Sequence, residues 1–129
     1  MITFICNKLA RDKTLETMEK TGITTTHRIL NTKEFLVALQ QKLIEEAQEI
    51  IEAHDRKNII QEIADVFEVI DAFKKVYKIT NEEIIMAKEE IYQERGGFDN
   101  KIFLEKISME DNNSWAKHFR ASPERYKEE

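Results

Sequence analysis

The sequence has little that breaks or crosslinks a chain. One cysteine, Cys6, stands in 129 residues, so no intramolecular disulfide can form and nothing demands an oxidising compartment. One proline and three glycines are too few for the tight turns of an all-β protein. No stretch approaches the roughly 20 apolar residues of a membrane span. The apolar run in "MITFICNKLARDK" is likewise too short for the core of a secretory signal, so the expectation is a soluble, cytoplasmic protein with no membrane association. Positive charge is also scarce. Twenty Lys and Arg against 25 Asp and Glu give a net charge of −5, and no basic stripe is available to neutralise a phosphate backbone, which argues against nucleic acid as a partner. The cluster Lys8, Arg11 and Lys13 is the exception.

What is present is helix-forming. With 41% hydrophobic and 35% charged residues the chain can build a core while keeping a large solvated surface, and its length suits a single core. Leu, Ile, Glu, Lys, Ala and Gln fill long stretches, so the expected fold class is all-α, a helical bundle with a short N-terminal extended segment. Residues 2–6, "ITFIC", are β-prone, with "TTTHRIL" at 24–30 as a candidate partner strand. Between them "RDKTLETMEKTG" reads as a short helix closed by Gly22. Asn31 or Thr32 caps a long helix running to about His54, with Glu34 in its first turn. After the polar turn "HDRKN", a second long helix spans about 58–77, and Thr80 or Asn81 caps a third at about 81–95, ending at Gly96 and Gly97. The domain is read as residues 1–107. Residues 108–129 form a polar tail with a helical turn or two around Trp115 and Phe119.

Two stretches, "KLIEEAQEII" at 42–51 and "IIQEIADVFEVI" at 59–70, carry acids where a core would be built. At about 100° per residue, Glu46 and Glu49 fall about 60° apart, on the strip that also holds Leu39, Ile50 and Ala53. Glu62 and Asp65 line up with Val66, Val69, Phe73 and Val76, while Glu68 and Asp71 rotate to the polar side. Glu45 and Glu52 lie farther from the apolar strip of their helix. If the helices form an antiparallel hairpin about "HDRKN", position 46 is level with 65 and position 49 with 62.

Four carboxylates in a partly apolar groove repel on the order of several kcal/mol and lose hydration as well; a divalent cation removes that conflict. The donors are hard oxygens, with neither Cys nor a well-placed His, which suits Mg²⁺ or Mn²⁺ rather than Zn²⁺. A di-iron carboxylate bundle needs Glu-x-x-His, and here the i+3 partners are Glu49 and Asp65. Mg²⁺ is commonly completed by substrate phosphates, and one acid can act as general base toward water, so the chemistry expected is metal-assisted hydrolysis of a phosphate anhydride.

"EEAQE" at 45–49 followed by "EIAD" at 62–65 resembles the Glu-Glu-x-x-Glu, Glu-x-x-Asp signature of the all-α nucleoside triphosphate pyrophosphohydrolases, the MazG-like and phosphoribosyl-ATP pyrophosphohydrolase-like superfamily. The frame of "NKLARDK" at 7–13, "HRIL" at 27–30, "ERGGF" at 94–98 and "IFLEKI" is similar to its house-cleaning subgroup, over about residues 4–107. Where relatives often read Lys-Ile-Pro after Arg-Asp, this chain has "KTLETM". The resemblance implies a homo-oligomer, dimer or tetramer, that uses Mg²⁺ to split a nucleotide between its α and β phosphates. It further implies Glu46, Glu49, Glu62 and Asp65 as metal ligands, with Glu45 as an outer-shell or base residue. Lys8, Arg11 and Lys13 would face the phosphates, and Arg95 would border the nucleotide pocket. Two alternatives stay open: phosphoribosyl-ATP hydrolysis, and a non-catalytic helical interaction module.

Overall fold

The computed structural model describes residues 1–129 and is all-α: 56% of the chain lies in five helices, and there is no strand. In chain order these are α1 (Thr14–Lys20), α2 (Thr32–Glu52), α3 (Arg56–Tyr77), α4 (Asn81–Arg95) and α5 (Ser114–Arg120). Contacts group the chain into two units, Met1–Glu89 and Glu90–Glu129, with the division inside α4. No helix is long and apolar enough to cross a membrane.

The caps explain where the helices start. The Asn31 side chain accepts from the Glu34 amide at 2.9 Å while Glu34 reaches back to the Asn31 amide, a reciprocal capping box that opens α2. Arg28 stands 2.9 Å from the Glu34 carboxylate, and its guanidinium, together with the Asn31 amide, holds that carboxyl below its usual value. Asp55 opens α3 by accepting from the Asn58 amide at 2.8 Å, and its second oxygen takes the Asn58 side chain at 2.9 Å. Thr80 and Glu83 form the equivalent pair before α4. Endings are equally local: Lys78 closes α3 with φ 55°, and Gly22 and Gly96 take φ of 80° and 75° after α1 and α4.

Within Met1–Glu89, α2 and α3 are the helices that pack on each other. Three residues, Ala53 to Asp55, separate them, so they run antiparallel. Leu39 and Val69 are buried in the seam, with Ile50, Ala53, Val66, Phe73 and Val76 half-buried, the strips expected from the periodicity, and Ile59 is half-buried as well. Glu68, Asp71 and Glu52 point to solvent, also as expected.

The strands expected at 2–6 and 24–30 do not form. Ile2, Phe4, Ile5 and Ile29 are all exposed, and Asn7, with φ 47°, turns the chain out of the extended region immediately after the first run. A β-prone run without a paired neighbour leaves its N–H and C=O groups to water and gains nothing from alternation. Within Glu90–Glu129, α5 coincides with the helical turns expected around Trp115 and Phe119. Asn113 caps it, Ala116 is buried, and Arg120 closes on Asp111 at 3.0 Å and Glu128 at 2.8 Å.

Because Asp55 satisfies two donors at the mouth of the hairpin, Asp55→Ala is expected to cost about 1 kcal/mol of stability in urea titrations, whereas Glu68→Ala on the solvated face should stay within about 0.5 kcal/mol of the parent.

Candidate metal centre

The hairpin register brings the four acids together. One carboxylate oxygen from each of Glu46, Glu49, Glu62 and Asp65 falls within 4.8 Å of all the others, a grouping that could hold a metal ion. Two residues come from each helix, spaced i and i+3, so each pair shares a face and the short turn sets both pairs at one height. Glu46 is buried at 5% exposure and the other three are half-buried. Two of their oxygens, Glu46 Oε2 and Glu62 Oε2, are buried without a hydrogen-bond partner. An orphaned buried carboxylate oxygen is expensive, and two such oxygens on residues of one cluster are what a hard cation could satisfy.

The cations around the cluster are unevenly distributed. Lys42, one turn before Glu46, places Nζ 3.2 Å from Glu46 Oε1 and 3.5 Å from Glu45 Oε2. Lys8 reaches Glu45 Oε1 at 3.1 Å, and Arg11 Nη2 reaches Asp65 Oδ1 at 2.6 Å. Thus Glu46 and Asp65, at one level of the hairpin, each have a basic partner. Glu49 and Glu62, nearer the turn, have each other.

Ionisation reflects burial as well as these partners. Burial pushes the Glu46 carboxyl above its usual value; the Lys42 ammonium offsets this only in part, and Glu49 adds to the rise. The Glu49 carboxyl is raised chiefly by Glu62, against which it shares a hydrogen bond, and then by burial. Glu45 behaves in the opposite sense. Burial alone would push it up, but the Lys8 and Lys42 ammonium groups outweigh that and hold it below the usual carboxylate range, while Glu45 raises Lys8 in return.

Of the residues singled out for the substrate, Lys8 and Arg11 come to the acids, each by an ion pair. Lys8 also borders, with Lys42 and Glu45 of α2, a cavity of ≈ 260 Å³. Lys13 instead begins α1, its carbonyl accepting from Thr17. Arg95 ends α4 in the other unit, next to Gly96. Lys42 was the residue that sequence reasoning passed over. Its signal was its place four residues before Glu46 on the same helix face.

Comparison with protein-family models, with curated proteins and with solved structures gives no match to this chain.

The raised carboxyls make stability depend on pH with a definite sign. A carboxyl whose folded value lies above its unfolded value binds more protons when folded, so stability falls as pH rises from the unfolded value through the folded one. Without divalent cations the melting temperature should therefore drop as pH climbs above the ordinary glutamate range near 4.5, and Glu49→Gln should flatten that drop. Thermal unfolding between pH 4 and 8 in the presence of a chelator reads both.

Proposed function

We propose that this chain is a Mg²⁺-dependent nucleotide pyrophosphohydrolase, cleaving between the α and β phosphates to give a nucleoside monophosphate and pyrophosphate, with non-canonical nucleotides as its substrates. The observation that carries the reading is the four-carboxylate cluster with two buried, unpartnered oxygens. Repulsion and lost hydration make such a cluster costly unless a cation is its purpose. An all-oxygen donor set favours Mg²⁺ or Mn²⁺, and Glu46, Glu49, Glu62 and Asp65 would hold it. When bound, that ion supplies charge neutralisation on a phosphoryl oxygen and acidifies water.

The remaining roles belong to the chain's own groups. Lys8 and Lys42, on the wall of the cavity beside the acids, offer ammonium donors to the anionic phosphates of a nucleotide. Glu45, with both oxygens facing ammonium groups and its carboxyl held low, is a poor proton acceptor, so its part is to orient those lysines rather than to act as base. Glu49 and Glu62 lack a basic partner, and the proton acceptor for an attacking water belongs at that level of the hairpin. The "NKLARDK" and "ERGGF" segments favour the house-cleaning branch of the resembling family over phosphoribosyl-ATP hydrolysis.

The same reading includes a second copy of the chain. Ile60, Ile63, Phe67 and Ile70 form a contiguous exposed stripe on α3, and Ile84, Ile85, Met86, Ile91 and Tyr92 are exposed along α4. Apolar stripes of that extent on helices are characteristically closed by association.

Pyrophosphate release from a panel of standard and modified nucleoside triphosphates, with phosphoribosyl-ATP included, tests the activity. Release is expected to require Mg²⁺ or Mn²⁺ and to vanish in Glu49→Gln and Asp65→Asn while both variants stay folded. Release from phosphoribosyl-ATP alone would select the other branch, and silence across the panel despite tight Mg²⁺ binding would select a non-catalytic module. Sedimentation equilibrium should show a dimer or tetramer that Phe67→Asp shifts toward monomer; a parent chain that stays monomeric at high concentration would remove the oligomer from this reading.

A further inference from the structure

Glu46 is the most buried charged residue of the chain, and its two oxygens have different surroundings. Oε1 faces Lys42 Nζ at 3.2 Å, whereas Oε2 is buried with no partner. The side chains of Lys42 and Glu46 are 19% and 7% exposed, against 73% and 65% for the other pair at this spacing, Lys20 and Glu16. Lys20–Glu16 is an ordinary solvated pair in the Glu-before-Lys order that stabilises a helix. Lys42–Glu46 has the reverse, poorer order, so support of α2 does not account for it.

Lys42 is itself restrained. Glu45 Oε2 lies 3.5 Å from its Nζ, and Glu45 Oε1 is taken by Lys8, so the ammonium sits between two carboxylates of its own helix. Asp65 is held through one oxygen in a similar way by Arg11, but those side chains are 38% and 58% exposed, and Arg11 comes from a segment without regular structure. The tight restraint is the one on Glu46.

From this geometry we propose that Lys42 is a positioning residue that sets cation selectivity: by occupying Oε1 of Glu46 it limits that carboxylate to one-oxygen ligation through Oε2. The inference rests on the metal centre proposed above. Mg²⁺ is small, demands near-ideal octahedral geometry and takes one oxygen per carboxylate, whereas Ca²⁺ accepts both oxygens of a carboxylate and a higher coordination number. A ligand whose second oxygen is tied to an ammonium therefore disfavours Ca²⁺ more than Mg²⁺.

The test compares Mg²⁺ and Ca²⁺ affinities of the full chain by titration calorimetry, in the parent, Lys42→Met, Lys42→Arg and Glu49→Gln. Deleting a positive charge near the site alters attraction for both divalent ions alike, so the ratio of the two affinities isolates positioning from charge. In Lys42→Met the ratio should move toward Ca²⁺ by about tenfold, and Lys42→Arg, which keeps a donor for Oε1, should restore it. Equal shifts for both ions in Lys42→Met would overturn the proposal and leave Lys42 as a charge only. Should Lys42→Met fail to fold by circular dichroism, Lys42→Ala, with the strongest helix former at that position, carries the same comparison. A parent chain that binds neither ion, or a Glu49→Gln variant that binds as the parent does, would instead remove the metal centre itself, and this inference with it.

Discussion

Four carboxylates occupy the middle of a seam between two antiparallel helices, and the surroundings of that charge account for most of what is distinctive in Met1–Glu89. Leu39 and Val69 are buried on the side away from the turn, and Ile50, Ala53 and Ile59 close the seam toward it. Were the acids replaced by apolar residues, the seam would be an ordinary helical hairpin, and by general experience with buried charges it would be at least as stable. Local packing thus does not explain the acids. Their register does, because four positions on two helices come within reach of one another only if the turn and both helical phases cooperate.

The hairpin divides this charge into two levels. At the outer one, Lys42 and Arg11 compensate Glu46 and Asp65; at the one nearer the turn, Glu49 and Glu62 confront each other, and the Glu49 carboxyl rises in consequence. The alternation Lys8, Glu45, Lys42, Glu46 runs from the N-terminal segment into the seam. Residues 1–12 lie outside every helix, so these pairs are their polar ties to the hairpin. Lys8 and Arg11 remain more than half exposed, and exposed pairs contribute at most about 1 kcal/mol each. The segment is accordingly held by weak ties, one of them to Asp65, an acid that the proposed cation would engage, so the two equilibria share that carboxylate.

Much of the seam is legible in the sequence, for physical reasons that also bound what it can show. Helical phase is a property of spacing alone, so the inward strips and the level pairing of 46 with 65 and 49 with 62 could be read from residue numbers. Caps are local too: Asn31 and Thr80, each one of two candidates in the sequence, act on residues three positions away, whereas Asp55, which opens α3 in the same way two residues before the expected start, was hidden in the polar turn. The expected strands failed because pairing is non-local, and no periodicity within "ITFIC" reveals that a neighbour is lacking. Lys8–Glu45 and Arg11–Asp65 span 37 and 54 residues, a separation at which composition carries no register. Lys42 is the exception, since its i,i+4 relation to Glu46 was visible, but only burial separates it from solvated pairs of the same spacing.

The exposed apolar stripe of α3 bears on the acids through the helix they share. A helix that is polar on one side and buried along one strip needs a single neighbour; α3 has its strip on α2 and a second stripe, Ile60, Ile63, Phe67 and Ile70, rotated about 100° from it. A helix apolar over so wide an arc has more to bury than α2 covers. Glu62 and Asp65 stand among these residues on the same helical turns, so whatever seats on the stripe also fixes the backbone that carries them. Under the function proposed above, coverage of the stripe by a second copy and occupation of the acids by a cation would favour the same arrangement of α3. Each would strengthen the other by the same factor, as linkage requires.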